Sequence, residues 1–153
     1  MMFLSLKSVD EILEIIENDK FSGVKPMAHK TLAEEMTHLV HGSEGLKSAE
    51  RITQSLFESR FEELTIDDFK QLGNDGLPVF KISDSENLVD AMIINELASS
   101  KRQAREFIVN GAVSINGLKI YDIDFKLDKK NAIFNQNFII KRGKKNVSLS
   151  IVE

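Results

Sequence analysis

The 153-residue chain has no cysteine, which excludes both a disulfide framework and a thiolate metal site. It also has no apolar run near the roughly 18 residues that a helical membrane span requires. The opening residues Met1-Met2-Phe3-Leu4-Ser5-Leu6-Lys7 carry neither a basic leader nor an apolar stretch of signal-peptide length. A cytoplasmic location without membrane contact is therefore expected. Catalytic signatures are missing too: there is no nucleophile elbow, no phosphate-loop glycine pattern and no candidate cysteine nucleophile. No catalytic residue is expected in this chain. Aromatic residues are scarce at 7%, which limits base stacking but not contact with a phosphate backbone.

What is present belongs to an ordinary globular protein. An apolar fraction of 42% can build a core, and a charged fraction of 29% is too low for a disordered polyelectrolyte. The net charge of −4 conceals a division. Residues 1–98 hold 9 Lys/Arg against 19 Asp/Glu, whereas residues 99–153 hold 11 against 5. Such asymmetry predicts two modules, the second facing a polyanion.

The first half reads as helices. Ser8-Val9-Asp10-Glu11 is a capping-box pattern, followed by Val9, Ile12, Leu13 and Ile16 at helical period. Pro26 suits a first helical position, and Leu32, Met36, Leu39 and Val40 form a stripe that stops at Gly42. A third helix is predicted over Ser43–Glu58, burying Leu46, Ala49, Ile52 and Leu56, and a short fourth from Thr65-Ile66-Asp67-Asp68. Turn residues from Gly73 to Pro78 then break the pattern. The reading is a helical region over 1–72, a linker over 73–86 and a second domain over 87–153.

That domain mixes periods. One helix begins at Leu88 and continues to Ala98, and Ser99 or Ser100 caps another that ends at Asn110-Gly111. Ala112–Ile115 alternates like a strand, Asn116-Gly117 is a hairpin turn, and Leu118–Tyr121 is the return strand. Further strands are expected at Phe138–Lys141 and Val147–Ile151, around Arg142-Gly143-Lys144-Lys145-Asn146. The fold class is α+β, a small helical bundle followed by two helices on a small, mainly antiparallel sheet.

Two basic clusters carry the functional argument. Lys101, Arg102 and Arg105 share one face of a helix whose other side holds Ala104, Phe107 and Ile108. Cations in a first turn oppose the helix dipole, which makes sense if a phosphate sits at the helix start; the competing, lesser reading is a plainly solvated face. Lys141, Arg142, Lys144 and Lys145 surround Gly143 at a tight connection, and Lys119 on the return strand joins the set. A helix face and a hairpin turn together suit the phosphate lattice of structured RNA. His38 and His41, with Glu34 and Glu35, lack the His-Glu-x-x-His order and a third ligand, so no metal site is expected; Glu34 and His38 read as a surface pair.

The string Lys101-Arg102-Gln103-Ala104-Arg105, with Gly111, Val113 and Asn116-Gly117, resembles the alpha-L RNA-binding fold of the fourth small-subunit ribosomal protein. Leu32-Ala33-Glu34-Glu35, Leu39-Val40-His41-Gly42, Glu44-Gly45-Leu46, Arg51-Ile52-Thr53 and Leu56-Phe57 resemble the anticodon-binding helices of bacterial tyrosyl-tRNA synthetases. Arg142-Gly143-Lys144-Lys145-Asn146 is similar to that family's basic C-terminal signature, and the likeness runs from about Phe3 to Val152. Two positions depart from it: Lys141 stands where arginine is common, and Val147 where an aromatic is common, so stacking at Val147 is not expected.

The resemblance implies a C-terminal fragment of a cytoplasmic, homodimeric tyrosine-tRNA ligase that uses ATP and magnesium in a domain missing here. By itself the fragment would be an inactive monomer without a cofactor. Its partner would be tRNA(Tyr), gripped at the anticodon stem and variable arm, with Lys101, Arg102, Arg105, Lys119, Lys141, Arg142, Lys144 and Lys145 holding the RNA. A free-standing, ribosome-associated RNA adaptor and a protein-interaction module are the competing expectations.

Overall fold

The computed structural model describes residues 7–21 and 27–153, with nothing said of the Lys20 and Phe21 side chains. Pro26 lies outside the described residues. The chain divides into two compact units, one ending at Glu50 and one running from Arg51 to Glu153.

In the first unit, α1 spans Val9–Phe21. Its capping box forms as expected: Ser8 N and Oγ donate to Glu11 Oε2 at 2.9 and 2.7 Å, and Glu11 N donates to Ser8 Oγ at 3.4 Å. Helix α2 spans Met27–Glu58 and is interrupted at Gly42, where φ is 70° and ψ −173°. Only glycine adopts that backbone without strain, so the expected stop at Gly42 is a break between two helical stretches. The Asp19 carboxylate accepts from Met27 N and Ala28 N at 2.6 and 2.8 Å, satisfying two donors of the first turn of α2. Of the apolar positions on α1, Ile12 is buried while Val9 and Leu13 are exposed.

The second unit opens with the end of α2 and with α3, Ile66–Asn74. Thr65 and Asp68 build a complete capping box at the start of α3. Asp68 is buried and also receives Arg51 Nε and Nη2 at 2.7 and 2.8 Å, so a bidentate ion pair ties α2 to the cap of α3. The stretch read as a linker over 73–86 contains β1, Val79–Ile82, whose partner strand lies at the far end of the chain.

Next come β2 (Glu86–Asn87), α4 (Leu88–Ile94), α5 (Lys101–Val109), β3 (Val113–Ile115), β4 (Leu118–Lys119) and β5 (Lys126–Leu127). Strands β6 (Asn137–Arg142) and β7 (Asn146–Val152) complete the order. The main sheet runs β1-β7-β6-β3-β4; only the β1–β7 pair is parallel, and β2–β5 form a separate ladder. The α+β class and the mainly antiparallel sheet are as expected.

Helix α4 stops at Ile94 rather than Ala98. Glu96 takes a left-handed φ of 56°, and Glu96 N and Leu97 N close onto Ile93 O and Met92 O. That is a Schellman termination with glutamate at the usual glycine position. The return strand β4 is also shorter than expected, because Tyr121 leaves the strand path to lay its ring on Gly111.

Each face of the sheet has its own core. On one, Phe138, Ile140, Val113 and Ile115 pack with Leu88, Met92, Ala104 and Ile108 of α4 and α5. On the other, Ile139 and Leu149 pack with Ile52, Phe61, Leu64, Phe69 and Leu72. Because side chains alternate along a strand, the run Phe138-Ile139-Ile140 serves both cores, and every residue of 137–140 is buried.

Candidate nucleic-acid interface

Helix α5 starts as its cap chemistry demands. Ser100 is the N-cap and accepts from Gln103 N, while Gln103 Oε1 takes Ser99 N at 2.8 Å and Ser99 Oγ at 3.0 Å. Ala104 and Ile108 are buried against the sheet, which turns Lys101, Arg102 and Arg105 to solvent. No acid occupies the first turn of α5. Lys101 is nevertheless balanced by Asp90 of α4, whose Oδ1 lies 2.6 Å from its Nζ. Arg102 and Arg105 form no ion pair among the described residues.

The second cluster is arranged by register. Ser114 of β3 pairs with Lys119 of β4 on one side and Lys141 of β6 on the other, and Lys141 pairs with Val147 of β7. Lys119, Ser114, Lys141 and Val147 therefore form one row across the sheet, on the face away from α4 and α5. These four residues line a broad groove together with Lys144 and Lys145 of the β6–β7 turn. Lys119, Lys144 and Lys145 are exposed; Lys141 is half-buried, and its Nζ donates to Leu56 O at 3.3 Å.

The turns that shape the groove follow from local chemistry. Asn116 (φ 48°) and Gly117 (φ 88°) make the tight β3–β4 turn. Asn116 also prolongs the β3–β6 ladder: its backbone N donates to Ile139 O, and its Oδ1 accepts from Ile139 N, both at 2.9 Å. A side chain at Gly117 would place Cβ 2.1 Å from Ser59 O, so the glycine lets the C-terminal end of α2 and Ser59 close against the turn. That segment, from Thr53 to Ser59, supplies one wall of the groove. Gly143 has φ 61° with open space around its missing Cβ.

Of the eight cations expected to act together, Lys119, Lys141, Lys144 and Lys145 share the groove, and Lys101, Arg102 and Arg105 share the outer face of α5. Arg142 belongs to neither. Alternation along β6 sends it to the helix side, where Nη1 donates to Leu97 O at 2.7 Å and the guanidinium sits 5.0 Å from the Phe107 ring centroid. The period-two pattern of 138–142 held this signal, since adjacent strand residues cannot face the same way. The wall contributed by Thr53–Ser59 and the Asp90 partner of Lys101 left no trace at the level of spacing.

The histidines take modest roles. Both Lys30 and His38 stand one turn from Glu34 on the same helix; Glu34 pairs with Lys30 at 3.4 Å, and His38 turns instead to Ser43, its Nε2 lying 3.1 Å from Ser43 Oγ. Among the described residues no group of three or more His, Asp or Glu is placed to hold a metal ion. No helix among them is long and apolar enough to cross a membrane.

A family model and full-length relatives agree on what this chain is similar to. Residues 68–150 match the family described as the tyrosine-tRNA ligase SYY-like C-terminal domain. Tyrosine-tRNA ligase of Chromobacterium violaceum is 45% identical over 146 residues, covering 95% of this chain and 34% of that protein. Those of Laribacter hongkongensis and Aliivibrio salmonicida are 43% and 46% identical over 152 residues, 99% of this chain and 36% of each relative. The chain thus spans about a third of the length of the relatives it matches. A solution structure of a tyrosyl-tRNA synthetase C-terminal domain is 32% identical, covering 59% of this chain and 91% of its own, with a TM-score of 0.49.

Proposed function

The chain belongs to the tyrosine-tRNA ligase SYY-like C-terminal domain family, and on that premise we propose that it binds transfer RNA on behalf of a tyrosine-tRNA ligase. In this reading it grips tRNA(Tyr) at the anticodon stem and variable arm. Tyrosine activation with ATP and magnesium would belong to the part of the ligase that the relatives carry beyond the matched third. Residues 1–72 serve the anticodon side and 87–153 the basic RNA-binding side.

One observation carries the reading: the segment matched to the family, 68–150, holds all eight candidate cations, and seven of them lie in two solvent-facing groups. Lysines at a groove and arginines on a helix face can each meet a phosphate, the lysine as a point charge and the arginine as a two-pronged donor. Arg102, Arg105, Lys119, Lys144 and Lys145 are the open contacts. Lys101 exchanges Asp90 for phosphate, and Lys141 supports the groove from its bond to Leu56 O.

Salt titration of binding to a tRNA(Tyr) anticodon stem and to its variable arm tests this. The five open phosphate contacts on duplex RNA, before any exchange at Lys101, predict a slope of log affinity against log salt near −4.5, or about a 500-fold loss between 50 and 200 mM salt. Arg102→Ala and Arg105→Ala should each flatten the slope by about one unit. Unchanged affinity in the double variant overturns the reading, and preference for ribosomal RNA over tRNA would turn it toward a ribosome-associated adaptor.

A further inference from the structure

Arg142 and Gly143 are adjacent, yet they hold the chain on opposite sides of α5. Arg142 Nη1 donates at 2.7 Å to Leu97 O, which lies just ahead of the α5 cap. Gly143 N donates at 2.8 Å to Ala112 O, just beyond the α5 C-cap. The Arg142 guanidinium also lies over Phe107, on the half-buried side of α5. The start of the β6–β7 turn thus fastens the loop that enters α5, the loop that leaves it, and the helix side between them.

A packed apolar residue could cover Phe107. What arginine adds is a directed donor for a carbonyl that belongs to a buried residue, since Leu97 is 4% exposed. A lysine ammonium is a point donor on a flexible stem and cannot lie flat on the ring while reaching that carbonyl.

Resting on the tRNA-binding reading above, we propose that Arg142 is a positioning residue and not a phosphate contact. It holds Arg102 and Arg105 in fixed register with Lys144 and Lys145, so that the helix face and the turn meet RNA as one rigid lattice. RNA phosphates are spaced by the nucleic acid, so cations on two elements contribute together only when their separation is preset. Without the Leu97 bond, the entry to α5 keeps the Asn95 bonds to Ser148 and Ser150 of β7 but loses its direct hold on the base of the β6–β7 turn, while the helix keeps its buried Ala104 and Ile108.

The test uses the full chain with Arg142→Met, Arg142→Lys and their combinations with Arg102→Ala/Arg105→Ala. Backbone amide exchange is read over residues 98–104, and affinity for the tRNA(Tyr) variable arm is read across salt. Faster exchange at 98–104 in both Arg142 variants is expected, with the rest of the sheet unchanged. Affinity should fall alike in Arg142→Met and Arg142→Lys. The loss should be strongly non-additive with the α5 double variant, since a mispositioned face and an absent one remove the same contacts.

Unaltered exchange at 98–104 overturns the proposal whether or not RNA binds. Rescue by lysine, together with an additive loss and a slope lower by about one unit, identifies a direct phosphate contact instead and also overturns it. Absence of RNA binding by the parent chain sinks the tRNA reading, while the exchange result still decides whether Arg142 fixes α5.

Discussion

Replacing Arg51 with methionine is the most direct way to test what holds the second unit together. Asp68 is 1% exposed and accepts four hydrogen bonds: Arg51 Nε at 2.7 Å, Arg51 Nη2 at 2.8 Å, Thr65 N at 2.8 Å and Thr65 Oγ1 at 2.9 Å. Methionine keeps the apolar stem and removes both charged donors, leaving the Thr65 bonds to a buried carboxylate. Breaking one partner of a buried pair costs about 3–5 kcal/mol, and the 35% exposure of Arg51 puts this site near 3 kcal/mol. For a unit of this size that corresponds to a fall of roughly 12 °C in its melting temperature.

The assay reads the correct unit, because the chain has one tyrosine and no tryptophan, and Tyr121 lies in the second unit. Near-ultraviolet circular dichroism of Tyr121 therefore follows its unfolding apart from the helical signal of the first unit. Asp68→Asn in the Arg51→Met background removes the stranded charge and should recover part of the loss. Arg51→Met within about 0.5 kcal/mol of the parent, or a double variant less stable than Arg51→Met, would refute the assignment of Asp68 as a paired, charged anchor.

Two glycines separate backbone strain from crowding. Gly117→Ala and Gly143→Ala both meet a left-handed backbone, but only Gly117 has a carbonyl in the way, with Ser59 O at 2.1 Å from the added Cβ. Gly143→Ala should cost about 1 kcal/mol from the backbone alone, and Gly117→Ala at least twice that; equal urea midpoints for the two would show that Ser59 does not press on the turn. Acid should loosen the start of α1. The Ser8 hydroxyl and then its backbone N–H, both donating to Glu11, hold that carboxyl below the ordinary glutamate range. A depressed folded pKa contributes stability that is present above the unfolded value and lost as pH falls through the folded one. A carboxyl titration by NMR should place Glu11 below free glutamate in the parent and closer to it in Ser8→Ala, which removes the hydroxyl donor and keeps the backbone one; no difference between the two removes the hydroxyl cap from the account.

Local chemistry was legible from the sequence wherever a short spacing specifies one geometry. Ser8 with Glu11, Thr65 with Asp68, Ser100 ahead of α5, Asn116-Gly117 and the break at Gly42 all form where cap and turn rules put them. Long-range pairing was not legible. Val79–Ile82 lies among turn residues and becomes a strand only because Val79 to Ile82 align with Leu149 to Val152, some seventy residues later. The second core was hidden for a related reason. The apolar run Phe138-Ile139-Ile140 announces a strand buried on both faces, but not that Ile52, Phe61 and Phe69 cover one of them. Within the candidate site, the cations themselves were readable from composition. Their grouping depended on register, which places Lys141 with Ser114 and Lys119 and turns Arg142 away.

That register creates two kinds of cation in the second unit. Lys141 and Arg142 sit at the base of the turn with donors already committed to Leu56 O and Leu97 O, whereas Lys119, Lys144, Lys145, Arg102 and Arg105 reach into solvent. A committed donor still carries its full charge, and at physiological salt that charge is felt over about 8 Å. On the proposed reading the inner pair would strengthen the field that draws in a polyanion without touching it, and the outer five would make the contacts. The Arg142 bond to Leu97 O ties the base of the turn to the entry of α5, and the Lys141 bond to Leu56 O ties it to the end of α2. If the outward cations meet phosphates, they need a preset spacing, and committing Lys141 and Arg142 to backbone carbonyls is what would hold the base of the turn in place.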